Sequence, residues 1–113
     1  MVTRRELAEH YVWGDGCDGW RLLDRPDLSV IEERVPPGAS EVRHVHHSAR
    51  QLFYLLAGQL TIDRAGDQLT LSAGDALEIP PTVPHLVRND GEAHAVFLVI
   101  SAPTTRGDRT NLE

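Results

Sequence analysis

Residues 38–58 read GASEVRHVHHSARQLFYLLAG and residues 74–89 read GDALEIPPTVPHLVRN, and these two stretches decide the architecture. In the first, His44 and His46 are separated by a single residue. Side chains two apart on a β-strand point the same way, so the two imidazoles share one face while Arg43 and Val45 share the other. A short reversal at residues 47–50 leads into a second apolar run, in which Gln51, Phe53 and Leu55 fall on one face by the same parity. That face is polar at its start and apolar deeper in, the profile of a barrel whose mouth carries a site and whose interior is packed. In the second stretch Pro80, Pro81 and Pro84 stiffen the approach to His85, which opens a further strand.

Outward from these stretches, the chain from Leu28 onward is a series of short apolar runs cut by Gly, Pro, Asn and Asp. This is the pattern of an all-β sandwich or barrel. Strands are expected near residues 20–23, 28–35, 41–46, 51–57, 59–64, 67–71, 76–79, 85–89 and 95–101. Pro36, Pro37 and Gly38 make one corner, Ala65 and Gly66 a tight hairpin, Ala73 to Asp75 another turn, and Asp90 with Gly91 a further hairpin signal. Only Arg4 to His10 has the composition for a helical turn or two. The last ten residues, Thr104 to Glu113, are polar and aperiodic and are expected to be a loose tail or an arm packed on a neighbour.

Three neutral imidazoles, His44, His46 and His85, with one side-chain oxygen from Gln51 form a donor set suited to Fe, Mn, Co, Ni, Cu or Zn. The set is less suited to Mg or Ca, which prefer all-oxygen shells. Gln51 is a neutral and weaker donor than a carboxylate, so its amide either binds the ion or hydrogen-bonds a water on it. His10, His47 and His94 fit no ligand spacing and read as surface or packing residues.

The spacing carries a family resemblance. The first stretch runs Gly38, five residues, His44, one residue, His46, four residues, Gln51, six residues, Gly58. The second runs Gly74, five residues, Pro80, one residue, Thr82, two residues, His85, three residues, Asn89. Together they resemble the paired motifs of the cupin superfamily, of the small single-domain type. Gln51 stands where the family usually has Glu, and Thr82 where it usually has Gly. The resemblance covers residues 38–89 and implies a double-stranded β-helix, the cupin or jelly-roll barrel. It implies one domain over 1–113, with a barrel core from about 20 to 102 and a tail over 103–113. It also implies one divalent transition metal ion on His44, His46, Gln51 and His85.

Replacing Glu by Gln removes a negative charge beside the ion, which strengthens its attraction for anionic or enolate-like ligands. It also removes a carboxylate able to act as a base there. Glu32, Glu33 and Glu78 are the acids that could substitute if they face inward; on open strands they read as solvated charges. Trp13 and Trp20 lie in the aromatic-dense stretch Tyr11 to Trp20 and either pack across a barrel end or a dimer interface, or line a ligand pocket.

Bulk properties narrow the function further. A net charge of -6 opposes binding to a phosphate backbone, so nucleic acid is not an expected partner. Arg4 and Arg5 are followed by residues 6–10 rather than a long apolar run, so neither a signal peptide nor a membrane span is expected, and a cytoplasmic location is. The lone Cys17 forms no internal disulfide. A chain of 113 residues leaves much apolar surface exposed, and a homodimer would cover some of it. The expected function is that of a small metal-dependent enzyme acting on a compact oxygenated or anionic metabolite by Lewis-acid or dioxygen chemistry. The alternative is a non-catalytic module that binds or senses a small ligand.

Overall fold

In the computed structural model, which describes residues 2–113, the alternation read from the sequence becomes two antiparallel sheets facing each other. The strands in chain order are β1 (Glu9–Trp13), β2 (Cys17–Asp24), β3 (Ser29–Val35), β4 (His44–Val45), β5 (Arg50–Ala57), β6 (Gln59–Arg64), β7 (Asp67–Ser72), β8 (Ala76–Ile79), β9 (His85–Arg88), β10 (Ala95–Ala102) and β11 (Thr110–Asn111). One sheet has the order β1-β2-β3-β10-β5-β8 and the other β11-β4-β9-β6-β7. The chain crosses between the sheets after β3, β4, β5, β7, β8, β9 and β10, which is the jelly-roll architecture of a double-stranded β-helix. Among the described residues no helix is long and apolar enough to cross a membrane.

Period-two alternation fixes what faces the interior. On β5 Gln51, Phe53 and Leu55 are buried while their neighbours Leu52, Tyr54 and Leu56 are exposed. On β10, the buried residues are Ala95, Phe97, Val99 and Ser101. Register joins these rows, with Gln51 opposite Ser101, Phe53 opposite Val99, and Leu55 opposite Phe97 with a bulge nearby. Strand β3 adds Ile31 beside Val99, Glu33 beside Phe97 and Val35 beside Ala95. Across the barrel, Ile62 pairs with Val87 and His44 with His85. Leu55, Leu60, Ile62, Val87 and Phe97 are almost completely enclosed. Each large side chain buried this way contributes roughly 1.5–3 kcal/mol relative to exposure.

Turn chemistry agrees with the sequence at one position in detail. Ala65 and Gly66 both have positive φ, 53° and 95°, and lie between the paired residues Arg64 and Asp67. A two-residue turn with both central φ positive matches the twist of the flanking strands. Asp63 Oδ1 accepts the Gly66 N–H at 3.0 Å and fastens it.

Four expectations are corrected. Residues 4–10 hold only a 3-10 turn at Arg5–Leu7 before β1 begins at Glu9, and the aromatic-rich stretch is a hairpin, β1 against β2, turning at 14–16. The strand expected over 41–46 shrinks to His44–Val45, because residues before it meet β9 only at single points, Glu41 N–H to the Val87 carbonyl and the bridge of Ser40 to Arg88. Asp90 and Gly91 do not close a hairpin, since β9 and β10 belong to different sheets. The segment 104–113 is not a loose tail. Its β11 pairs with β4, and the Asp108 carboxylate accepts the backbone N–H groups of His47, Ser48 and Ala49 at 2.8, 3.0 and 2.9 Å.

Candidate metal centre

The short strand β4 and the start of β9 lie side by side, so their pairing sets His44 directly across from His85, with His46 just beyond the end of β4. Ring centroids are 4.4 Å apart for His44 and His85, 4.9 Å for His44 and His46, and 5.6 Å for His46 and His85. One ring nitrogen from each lies within 4.8 Å of the others. All three residues are buried.

Hydrogen bonding fixes the tautomer of each ring. His44 Nδ1 lies 2.8 Å from the Val42 carbonyl, His46 Nδ1 2.6 Å from the Asp108 carbonyl, and His85 Nδ1 2.9 Å from the Val83 carbonyl. A carbonyl only accepts, so each Nδ1 carries the hydrogen and donates it. Burial holds the imidazole of His44 down to about 3 and that of His85 down to about 4, and lowers His46 as well, because an imidazolium here would lose its water. The rings are therefore neutral at neutral pH and each Nε2 keeps a lone pair. A histidine tied through its second nitrogen to a backbone carbonyl is the usual arrangement of a metal-ligating imidazole.

Gln51 completes the group. Its Nε2 donates to Ser101 Oγ at 3.2 Å and its Oε1 lies 3.1 Å from His85 Nε2. With the His85 hydrogen committed to Val83, two acceptors face each other. A cation between them removes the mismatch, as does reversal of the amide, but only a cation also engages His44 and His46. Their Nε2 atoms make no hydrogen bond among the described residues. A divalent transition ion fits the donor set of three imidazoles and an amide oxygen.

The cluster opens onto a cavity of about 190 Å³, whose wall includes Tyr11, Trp13, Glu33, Glu41, Phe53 and Arg109. Of the acids considered from the sequence, Glu32 lies 3.2 Å from Arg5 Nη1, and Glu78 is an exposed partner of Arg50. Glu33 faces inward, at the cavity wall. Its position was legible in parity, since Ile31 and Val35 on the same strand share that face. Glu41, missed in the sequence, accepts the Val87 N–H at 3.0 Å through Oε1, and its Oε2 lies 3.7 Å from Arg109 Nη1. Burial pushes its carboxyl up to about 7, against the opposing pull of Arg109. No local motif could have announced Asp108 and Arg109, which reach the site from more than 60 residues beyond His46.

The remaining aromatic and histidine residues divide cleanly. Trp13 packs against the core, lines the cavity and donates from Nε1 to the Asp18 carbonyl at 3.2 Å. Trp20 lies among His10, Arg5 and Arg34. His10 bonds Asp18, His47 bonds Thr110, and His94 is exposed, so none joins the cluster.

Residues 31–101 match the family model described as Cupin domain. An uncharacterized protein of Methanocaldococcus jannaschii is 27% identical over 118 residues, covering 99% of this chain and 94% of that one. The oxalate-binding protein of Thermotoga maritima is 27% identical over 67 residues, covering 59% of this chain and 55% of that one. Among solved structures, that of KdgF from Halomonas sp. superposes with a TM-score of 0.83 at 20% identity, over 92% of this chain and 94% of that one.

Proposed function

This chain belongs to the cupin family, and on that premise we propose that it holds one divalent first-row transition metal ion through His44, His46 and His85, with Gln51 as fourth ligand. The observation that carries the reading is the set of three buried imidazoles, each with Nδ1 tied to a backbone carbonyl and Nε2 left to meet the others. When bound, such an ion acts as a Lewis acid toward an oxygen of the ligand.

The protein's own residues define what enters. Three neutral imidazoles and an amide add no negative charge to the site, which favours an anionic or oxygen-rich ligand. Arg109 lines the cavity with a half-exposed guanidinium, which suits a carboxylate. Trp13 and Phe53 supply apolar wall and restrict water. The cavity is small, so the ligand is a compact metabolite. Acids facing inward support an enzyme, with Glu33 and Glu41 available for proton transfer. A binding or sensing module is the second reading, favoured by the likeness to an oxalate-binding protein.

Elemental analysis of the protein purified without added metal or chelator, beside a His44→Ala, His46→Ala double variant, tests the site. About one equivalent of a transition metal in the native protein, absent from the double variant, is the expected result. No metal in the native protein even after reconstitution would overturn the proposal. Turnover of oxygenated acids by the loaded protein separates the enzyme from the binding module.

A further inference from the structure

Register in the first sheet puts three residues in line. Tyr11 on β1 pairs with Gly19 on β2, and Gly19 pairs with Glu33 on β3. A Cβ at Gly19 would run into the Tyr11 ring, whose Cε1 and hydroxyl would each lie 2.6 Å away. Only a residue without a side chain lets the ring lie across the middle strand. The ring thereby reaches over β2, and its hydroxyl donates to Glu33 Oε2 at 3.3 Å. Glu33 Oε1 makes no hydrogen bond among the described residues, and the carboxyl forms part of the cavity wall shared with His44, His46 and Gln51. On its other side stands Phe97, enclosed in the core.

We propose that Glu33 is the proton donor and acceptor of this cavity, a carboxyl covered by Tyr11 across Gly19 and placed to exchange a proton with a ligand held at the histidine cluster. This deepens the metal-site reading and rests on it for the ligand. It returns to the cavity, from a different strand, the acid that Gln51 lacks. In the donating direction the O–H bond of the carboxyl breaks and its electron pair stays on Glu33. The proton joins the ligand atom that carries negative charge. The reverse step restores the acid.

The surroundings support a carboxyl that keeps its proton near neutrality. Burial pushes Glu33 up to about 8, and the charge of Glu41 adds to that, while the Tyr11 hydrogen bond, Arg109 and Arg21 oppose it. The groups facing it are Tyr11 from β1, Cys17 and Arg21 from β2, Phe97 from β10, Glu41 before β4 and Arg109 before β11. The Cys17 thiol is itself pushed up to about 11 by burial, and the Tyr11 phenol is raised further, so neither competes as an acid in this range. A group that titrates near the working pH is the efficient choice for both giving and taking a proton.

The test is a carboxyl-carbon NMR titration of the full chain, with the Glu33 signal assigned by its loss in Glu33→Gln, before and after one equivalent of zinc. In metal-free protein the midpoint is expected near 8, and zinc bound at the histidine cluster is expected to lower it by roughly one unit or more through its charge. Tyr11→Phe keeps the cover but removes the donor, and should raise the midpoint by a few tenths of a unit or more. Gly19→Ala displaces the ring, admits water and should lower it toward the ordinary carboxylate value. A metal-free midpoint at the ordinary value overturns the proposal, as does zinc that binds stoichiometrically without moving the signal. Failure to bind zinc with a midpoint near 8 overturns the metal reading and supports the buried acid.

Discussion

Two buried amides stand near opposite ends of the barrel, and they are treated very differently. Asn89 follows β9, four residues beyond His85. Its Nδ2 donates to the Val35 and Ala93 carbonyls at 2.9 and 2.8 Å, and its Oδ1 accepts the Gly91 N–H at 2.9 Å. Both its atoms serve the backbone, at the point where the chain leaves one sheet for the other. Gln51 at the mouth has one bond to a serine hydroxyl and an oxygen aimed at a nitrogen that has no hydrogen to give. A buried polar group normally finds its partner within the fold. The saturated amide is part of the architecture, whereas Gln51 either reverses to give His85 Nε2 a hydrogen or turns its oxygen to the ion proposed at the histidine cluster.

The two amides are expected to respond to removal differently, one chiefly in stability and the other chiefly in metal affinity. Asn89→Ala strips two carbonyls and one N–H of their partner in a closed interior, so it should destabilise the protein by about 2–4 kcal/mol. Denaturant unfolding of metal-free protein measures this, and metal stoichiometry in the folded variant should stay unchanged. Loss of metal with little loss of stability would reverse the assignment of the two ends. Gln51→Leu fills the same space with no lone pair but leaves Ser101 Oγ without its partner, so metal-free stability should fall by only about 1 kcal/mol, while metal affinity falls about 10- to 100-fold. Competition with a chelator of known affinity gives that ratio. An unchanged affinity would reduce Gln51 to a bystander and erase the contrast.

The two ends also differ in how far they could be read from sequence. Parity on the run from Gln51 to Leu55 announces both the polar mouth and the apolar depth, because alternation is imposed by the strand itself. The histidine spacing announces the cluster for the same reason. Nothing in the sequence marks Gly19 until the Tyr11 ring is seen lying over it. The contributions of Asp108 and Arg109 depend on β11 finding β4 across most of the chain, and two residues of pairing leave no periodic trace. Asn89 offers a partial signal, since the Gly91 that its side chain holds carries the mark of a hairpin turn. That turn chemistry was real, but the strands it joins lie in different sheets, and only the packing of the two sheets decides that.

The smallest expected effect concerns the acid beside the mouth and sharpens the contrast through pH. In the unfolded chain Glu33 releases its proton near the ordinary value of 4.5, whereas in the fold it keeps it to about 8. Between those values the folded state binds more protons than the unfolded one, so stability contributed by this group is fully present below 4.5 and is lost as pH rises to about 8. Gln does not ionise and loses nothing over this range. Glu33→Gln should therefore match the native protein near pH 4.5 and exceed its stability above pH 8 by on the order of 1–2 kcal/mol. The full linkage value is larger, but the carboxyl borders a cavity where water relaxes around the charge. A stability difference for Glu33→Gln that does not grow with pH would mean that the mouth places no cost on this charge. The barrel would then be equally well satisfied at both ends.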